Sequence, residues 1–508
     1  MRTIRKQLSQ VVAAAITIAA SLAVLVIAPN ATAWAQDTVS PIVPLDHPMA
    51  PFLESRAVAA AKGATAEWRK MEWVALDEAN GKVYWAMTEI NKGMTDGEGD
   101  IQLEENPCGI VYVGDFAADF NVSNISPLIV GGPYDEAAEE NQCDINNISN
   151  PDNLIVDAKG RLWIGEDTSH HANNALWMYD GELHRFATVP TGAETTGVRI
   201  LEDGTLFFNV QHPSGSNVYP YNRGIVGVVN GFKATDDFTA LDVPAGADQQ
   251  KVMTAAGEYQ ILARAGEPIP GAVDGARYGE MKTVAGDFMD VCNNPDANMF
   301  LPANEEGTEG NLYTNFECVP GGVARTYIRN NGTSWDVIEG ENVDFAAVNG
   351  TWTNCGGSIT PWNTALTAEE YEPIATADTW KENVADMTEY LGTQANPYDY
   401  GYLVEVMPDA SGESLHSVVE KRYTMGRFSH ENGIVMPDLK TVYFGDDGTN
   451  TVLFKFVADE AGDLSGGTLY AAKATQNEDQ SFGLEWLELG KGNDADIAEA
   501  IATLQLPE

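Results

Sequence analysis

The stretch NCGGSITPWNTALTAEE, from Asn354 to Glu370, places one cysteine between an amide and two glycines and ends on a pair of glutamates. Similar polar punctuation recurs along the chain at Glu89, at Glu166 and Asp167, at Gln211 and His212, at Glu317, and at Asp446 and Asp447. Carboxylate and amide oxygens are hard ligands that suit calcium, magnesium or manganese, whereas a thiolate prefers iron, zinc or copper. A mixed site follows, with several calcium-like ions and one or two transition metals tied to Cys355. The two glycines after that cysteine would let backbone approach a crowded cluster closely. Taken singly, an acid after a strand only opens the next turn, and a buried unpaired cysteine is an inert small hydrophobe. Acids that converge repel one another unless something cationic sits among them, and 29 basic side chains against 75 acidic ones are too few for that task. The seven histidines make no H-E-x-x-H spacing, and G-x-S-x-G and Walker signatures are absent, which leaves metal-assisted hydrolysis as the chemistry that suits the residues present.

The elements that must position these groups are β-hairpins. An apolar strand, a turn with Asp, Asn or Gly, and a second strand rich in aromatic and β-branched residues recur in VALDEANGKVYWAMTE from Val74, LIVDAKGRLWIGED from Leu154, RILEDGTLFFNVQH from Arg199 and IVMPDLKTVYFGDD from Ile434. MFLPANEEGTEGNLYTNFE from Met299 is a looser copy, and TPWNTALTAEE supplies one further strand of the same kind. In every copy the polar residues fall at the end of the second strand. In a radial array of antiparallel sheets such ends lie around one rim of a central channel, so the expectation is an all-β fold, a β-propeller of about six blades with inserted loops and short helices. Spacing between hairpins is uneven, and a long irregular span runs from about 223 to 295.

Arg2, Arg5 and Lys6 precede an apolar run that stops at Pro29, followed by small-residue sites around Ala31 to Ala35. This is the pattern of a secretory signal peptide, so residues 1–35 are read as leader and 36–508 as a single domain, with no membrane attachment after cleavage. Arg2 and Arg5 are not adjacent, so a twin-arginine signal is not supported. The formal charge of −46 excludes nucleic acid and anionic membranes as partners. In an oxidising compartment five cysteines cannot all pair; Cys108 with Cys143 and Cys292 with Cys318 are the pairs close in sequence, which leaves Cys355 over.

CGGSITPWNTALTAEE, MGRFSHENGIV, VYFGDDGTNTVLFKFV, SRAVAAAKGATAEWRKMEWVALD, PDNLIVDAKGRLWIGED and GAETTGVRILEDGTLFFNVQHPSG together resemble the PhoX-type alkaline phosphatases, from about Ser55 to Lys473. The resemblance implies a six-bladed propeller that hydrolyses small phosphomonoesters in the periplasm or outside the cell, with calcium, a pair of ferric ions (Fe3+) and a cysteine thiolate on iron. Carried over motif by motif, Cys355 is that thiolate, Glu431 of SHEN an iron or calcium ligand, and Glu194 of GAETTG a metal-bridging ligand with a catalytic part. Glu317, Glu369 or Glu370, Asn153 and Asp447 fall to calcium or to the cluster generally, and Arg427 to a phosphate contact, with a surface salt bridge as its other reading. The motifs equivalent to NLYTNFE and the cysteine segment come first in that family and follow here, the order of a circular permutation, which a closed propeller tolerates. TPWNTAL has fewer aromatics than the family pattern, and NFE lacks the histidine usual at its middle; both bear on rate and substrate range. Two rivals remain at this level: a calcium-dependent lactonase or esterase on the same scaffold, and a non-catalytic exported binding protein braced by calcium.

Overall fold

A computed structural model describes residues 42–272, 275–408 and 417–507. The leader expected at residues 1–35 lies outside the described residues. The hairpins form where turn chemistry puts them. In the first, Asp77 Oδ1 accepts from Asn80 N at 3.0 Å and Gly81 takes φ +69°, a left-handed value that closes the turn between Val74–Asp77 and Lys82–Met87. In the second, Asp157 Oδ1 accepts from Lys159 N and Arg161 N and Gly160 takes φ +78°, joining Pro151–Val156 to Leu162–Glu166.

Each hairpin extends outward by further antiparallel strands into a blade. Blade 1 runs from Val74–Asp77 outward to Asn124–Val130, blade 2 from Pro151–Val156 to Leu183–Thr188, and blade 3 from Glu194–Ile200 to Glu258–Arg264. Blade 4 runs from Pro295–Pro302 to Trp335–Asn342, blade 5 from Asn354–Ile359 to Ser417–Arg422, and blade 6 from His430–Val435 to the long strands Asp463–Gln476 and Phe482–Asn493. The six innermost strands touch in a closed cycle, each one the next and the sixth the first, so the sheets stand radially around one channel. The fold is an all-β propeller with short helices, as the hairpin repeat predicts. The uneven stretch near 223–295 is the outer half of blade 3, an excursion that adds Met253–Thr254 to the edge of blade 2, and a separate small hairpin of Glu280–Lys282 with Phe288–Val291. Among the described residues no helix is long and apolar enough to cross a membrane.

No blade mixes strands from the two chain ends, but at the outside of the ring Phe482 and Gly483 of blade 6 pair with Ile125 and Asn124 of blade 1, which joins the last and first blades into one nine-stranded sheet. Asn432, on the inner strand of blade 6, accepts from Val74 N and donates to Val74 O, both at 2.9 Å, and so replaces two ladder bonds between the last blade and the first. Asn153 does similar work between blades 2 and 3, accepting from Val198 N at 3.3 Å. Both disulfides expected from spacing form, Cys108–Cys143 and Cys292–Cys318, and Cys355 is the buried free thiol.

An unsatisfied buried backbone group costs about 1–3 kcal/mol. Replacing Asn432 by alanine strands both Val74 groups, so Asn432→Ala should destabilise the protein by roughly 2–4 kcal/mol, read as a lower denaturant midpoint; an unchanged midpoint would refute the closure role.

Candidate metal centre

The site is built from two positions that recur from blade to blade. One lies at the start of the innermost strand, where blades 2, 4, 5 and 6 present Asp152, Asp296, Cys355 and Glu431 as the second residue. In all four the pairing with the neighbouring strand slips just there, between Pro151 and Leu154, Pro295 and Asn298, Asn354 and Gly357, and His430 and Gly433. A bulge re-aims a side chain that regular pleating would send elsewhere. Blade 3 slips a little later, between Thr196 and Arg199, and presents Glu194, while blade 1 presents Glu72 just ahead of its strand.

The second position is the residue after the neighbouring strand. Period-two alternation separates it from the residue before it. Glu369 turns into its own blade, where its carboxylate accepts from Trp352 N, Gly401 N and Tyr402 N and pairs with buried Lys421 at 2.8 Å. Glu370 turns to the channel. Glu166 likewise accepts from Ser149 N, Ala175 N and Trp177 Nε1, and Asp446 from Val452 N and Arg56, leaving Asp167 and Asp447 as their central partners. Of the pair 369 and 370, therefore, only Glu370 joins the cluster.

The central side chains meet in three overlapping groups whose donor atoms lie within 4.8 Å of one another: Asp296, Glu317 and Cys355; Cys355, Glu370 and Glu431; and Glu72, Glu370, Glu431 and Asp447. Cys355 Sγ lies 3.0 Å from Asp296 Oδ2 and 3.5 Å from Glu431 Oε2. Close approach requires Gly356, because a Cβ there would stand 1.8 Å from the Glu431 carbonyl oxygen. Asn315 holds this corner by donating to the carbonyls of Cys355 and Gly356, each at 2.8 Å.

So many buried acids cannot all ionise together. Burial and then the Asp447 charge push Glu72 up to about 7; burial and then Glu317 push Asp296 up to about 8. Glu370 and Glu431 rise well above the carboxylate range, each through burial first, then Glu370 through the Glu317 charge and Glu431 through the Glu370 charge. Asp152 and Glu194 rise for the same reasons, with Glu72 and Asp167 their foremost charged neighbours. The Cys355 thiol is driven up by burial and by Asp296. Asp296 Oδ1 and Glu431 Oε1 are buried and accept no hydrogen bond. Orphaned anionic oxygens facing one another, with a sulfur among them, are what cation ligands look like without their ions, so the residues present fit a mixed metal cluster.

Few cations from the protein enter. Lys70 Nζ lies 2.8 Å from Glu72 Oε1 and holds Asp447, despite its burial, below the usual carboxylate range. His212 pairs with Glu194. Lys70, His212 and Tyr371 take φ +46°, +32° and +49°, and Asn150 and Thr353, each just before an inner strand, take +46° and +37°. Left-handed backbone at five residues other than glycine is strain concentrated around one rim, as functional sites often show.

The sequence-derived residues Cys355, Glu431, Glu370, Glu317 and Asp447 come together here, and Glu194 borders them through Asp167. Asn153 stays between blades 2 and 3. Glu89 pairs with Arg69 at 3.1 Å. Arg427 is not brought to the cluster: its Nε and Nη2 donate to the carbonyls of Tyr400, Pro373 and Pro397, and its guanidinium lies 5.0 Å over the Tyr398 ring. The surface salt bridge that was its other reading does not form either, since the side chain is buried among carbonyls. Sequence reasoning passed over Glu72, Asp152, Asp296 and Lys70. A signal existed for two of them, because Asn-Pro-Asp occurs both at 150–152 and at 294–296, each time opening an inner strand.

Stripped of cations, the cluster is a store of like-charge repulsion, and removing one carboxylate relieves it. Glu431→Gln should therefore raise the stability of chelator-treated protein, by about 1–3 kcal/mol, while lowering both cation content and stability of the loaded protein. Thermal melts with and without chelator check the change of sign; the same sign in both states would contradict a cation cluster.

The family model of alkaline phosphatase PhoX matches residues 47–214 and 322–505, more than half of the chain. Asp296 and Glu317 lie in the stretch between the matched segments. No curated protein matches. Among solved structures, PhoX of Pseudomonas fluorescens in complex with vanadate, a transition state analogue, is 18% identical with a TM-score of 0.34, over 49% of this chain and 60% of that one. A putative gluconolactonase is 10% identical with a TM-score of 0.38, over 84% and 94%, and a gluconolactonase from Xanthomonas campestris 10% with 0.37, over 78% and 90%. The assignment rests on the family match, whose two segments carry Glu72, Cys355, Glu370, Glu431 and Asp447: the chain belongs to the PhoX alkaline phosphatase family.

Proposed function

We propose that the protein is an exported phosphatase that releases inorganic phosphate from phosphomonoesters at a cluster of calcium and ferric ions in the mouth of the propeller channel. The observation that carries this reading is the sharing of Cys355, Glu370 and Glu431 among adjoining ligand groups. A group made only of carboxylates, such as Glu72, Glu370, Glu431 and Asp447, suits calcium. The groups that include the thiol suit iron. When bound, such cations polarise a phosphoryl oxygen, lower the pKa of water and offset charge on the leaving oxygen.

The chain's own residues have the tasks of placement. Asp296, Glu317 and Cys355 would hold one cation, and Glu370 and Glu431, common to the two other groups, would serve cations there. Phosphoryl transfer needs positioning and charge stabilisation more than a protein nucleophile. Lys70, 17% exposed in its side chain, is the ammonium placed at the acids' edge to meet a phosphate oxygen; the Arg427 donors, spent on carbonyls, make it a brace for the turn that leads through Ser429 into the Glu431 strand. Two disulfides and the charged, then apolar, N-terminal sequence support export. A calcium-only lactonase or binding scaffold would give Cys355 no task.

The test is hydrolysis of a chromogenic phosphomonoester together with metal analysis. Cys355→Ala should lose iron and at least about 100-fold in kcat/KM, equivalent to about 2.7 kcal/mol, with the fold retained. Lys70→Met should lose about 10-fold or more with its iron intact. Full activity in Cys355→Ala, or calcium without iron in the native protein, would overturn the reading.

A further inference from the structure

The excursion from blade 3 that the uneven repeat spacing hides builds a second site. Residues 243–249 lie across the outer edge of blade 2 and roof a cavity of about 250 Å³, whose floor is formed by Arg185, Thr188 and the loop of His171 to Ala175. This roof belongs to the stretch outside the family match. The cavity is distinct from the metal centre, which faces the channel, and is separated from it by Glu166, the carboxylate turned into blade 2.

Its polar lining is incomplete in a particular way. Arg185 is 5% exposed. Its guanidinium donates to the carbonyls of Leu241 and Ile145 and stacks 4.7 Å over Trp177, and it forms no ion pair among the described residues. A guanidinium carries five N–H donors, and although the Glu166 and Asp242 charges act on Arg185 from further off, burial outweighs them and holds its pKa below the usual value, so hydrogen-bonding capacity and an incompletely offset positive charge remain beside the cavity, which the exposed Glu140 also lines. Asn173 is oriented by its Nδ2, which donates to Val189 O at 2.8 Å and Gln249 O at 2.9 Å, so its buried Oδ1 is an acceptor, and it has no partner. Thr188 Oγ1 and His171 Nε2 are also buried without a hydrogen bond, while His171 Nδ1 lies 3.1 Å from Glu166 Oε2. A buried cation with no directly paired counter-ion and three unpaired polar atoms around one space cost several kcal/mol unless something satisfies them. Native proteins seldom leave such groups together. Water could meet the neutral groups but would leave the charge of Arg185 only partly offset, by Glu166 and Asp242 from further off.

We infer that this cavity binds a small hydroxylated oxyanion, its negative end on Arg185 and His171 and a hydroxyl donating to Asn173 Oδ1, with Thr188 completing the set. The shared chemistry is a compact anion with at least one O–H. Two sources supply it: hydrogen phosphate, and a small hydroxycarboxylate such as glycerate. Enclosure by blade and roof favours a molecule of a few carbons over a polymer. This site does not depend on the phosphatase reading, because none of its residues belongs to the metal centre.

The test titrates the metal-loaded full-length protein with sodium phosphate and, separately, with sodium glycerate, followed by thermal shift and calorimetry. Two variants are carried alongside, Arg185→Met and the near-isosteric Thr188→Val. At least one arm should give saturable stabilisation that weakens about tenfold or more in Arg185→Met and severalfold in Thr188→Val, while hydrolysis of the chromogenic ester stays at the native rate. Phosphate also reaches the metal centre, so in that arm the site is read as the second binding event, the one that weakens in the variants. Should Arg185→Met fail to fold, Thr188→Val and a crystal soaked in the effective anion decide. Equal binding by native protein and folded variants, no binding in either arm, or density showing only waters beside Arg185 would overturn the inference.

Discussion

Mutual repulsion among buried carboxylates is the constraint on which the structure depends. Glu72, Asp152, Glu194, Asp296, Glu317, Glu370 and Glu431 all have pKa values raised by burial and by one another. No fold gathers such a set for stability, because the same volume filled with apolar side chains would cost nothing in desolvation. Lys70 and His212 offset only part of the charge. Divalent and trivalent cations would reverse the sign of the whole arrangement, turning a destabilising cluster into the strongest set of interactions in the protein.

The rest of the fold explains how such a cluster is held in place. Blades 2, 4, 5 and 6 deliver a side chain from a bulge at the start of the inner strand, blades 1 and 3 deliver Glu72 and Glu194 from nearby positions, and blades 2 to 6 add the residue that follows the next strand; the six-fold closure brings them to one rim. Behind this layer stands a second set of acids with the opposite character. Glu166, Glu369 and Asp446 collect main-chain N–H groups and basic partners, so they are satisfied within their blades and fix the backbone from which Asp167, Glu370 and Asp447 project. Adjacent acids in the sequence thus divide into a brace and a ligand.

Much of this was legible from residue types and spacing. Hairpins announced themselves through period-two strands and Asp, Asn and Gly turns, and the acids at strand ends marked the rim. The free thiol followed from pairing the other cysteines. What could not be read is where the pleat slips: the bulges at 151–154, 295–298, 354–357 and 430–433 decide which residue of those four inner strands faces the channel, and beyond the Asn-Pro-Asp that opens the first two, nothing in the composition marks them. Asp152 was therefore passed over in favour of its neighbour Asn153, which staples two blades. Arg427 illustrates another limit, since a basic residue near a ligand motif looks the same in sequence whether it meets substrate or three carbonyl oxygens. Lys70 was hidden for a simpler reason: it precedes the repeat unit and reaches the rim through a left-handed residue conformation that lysine seldom adopts.

Anomalous diffraction from crystals of the purified protein, collected on either side of the iron absorption edge, tests the central claim most directly. The account predicts an iron peak within about 2.3–2.5 Å of Cys355 Sγ, the usual range for a metal–thiolate bond, bordered by Glu431 and by further density for lighter cations among Glu72, Glu370 and Asp447. A fully folded, active protein whose Cys355 thiol meets only Asp296 and Glu431, with no anomalous signal between them, would contradict it.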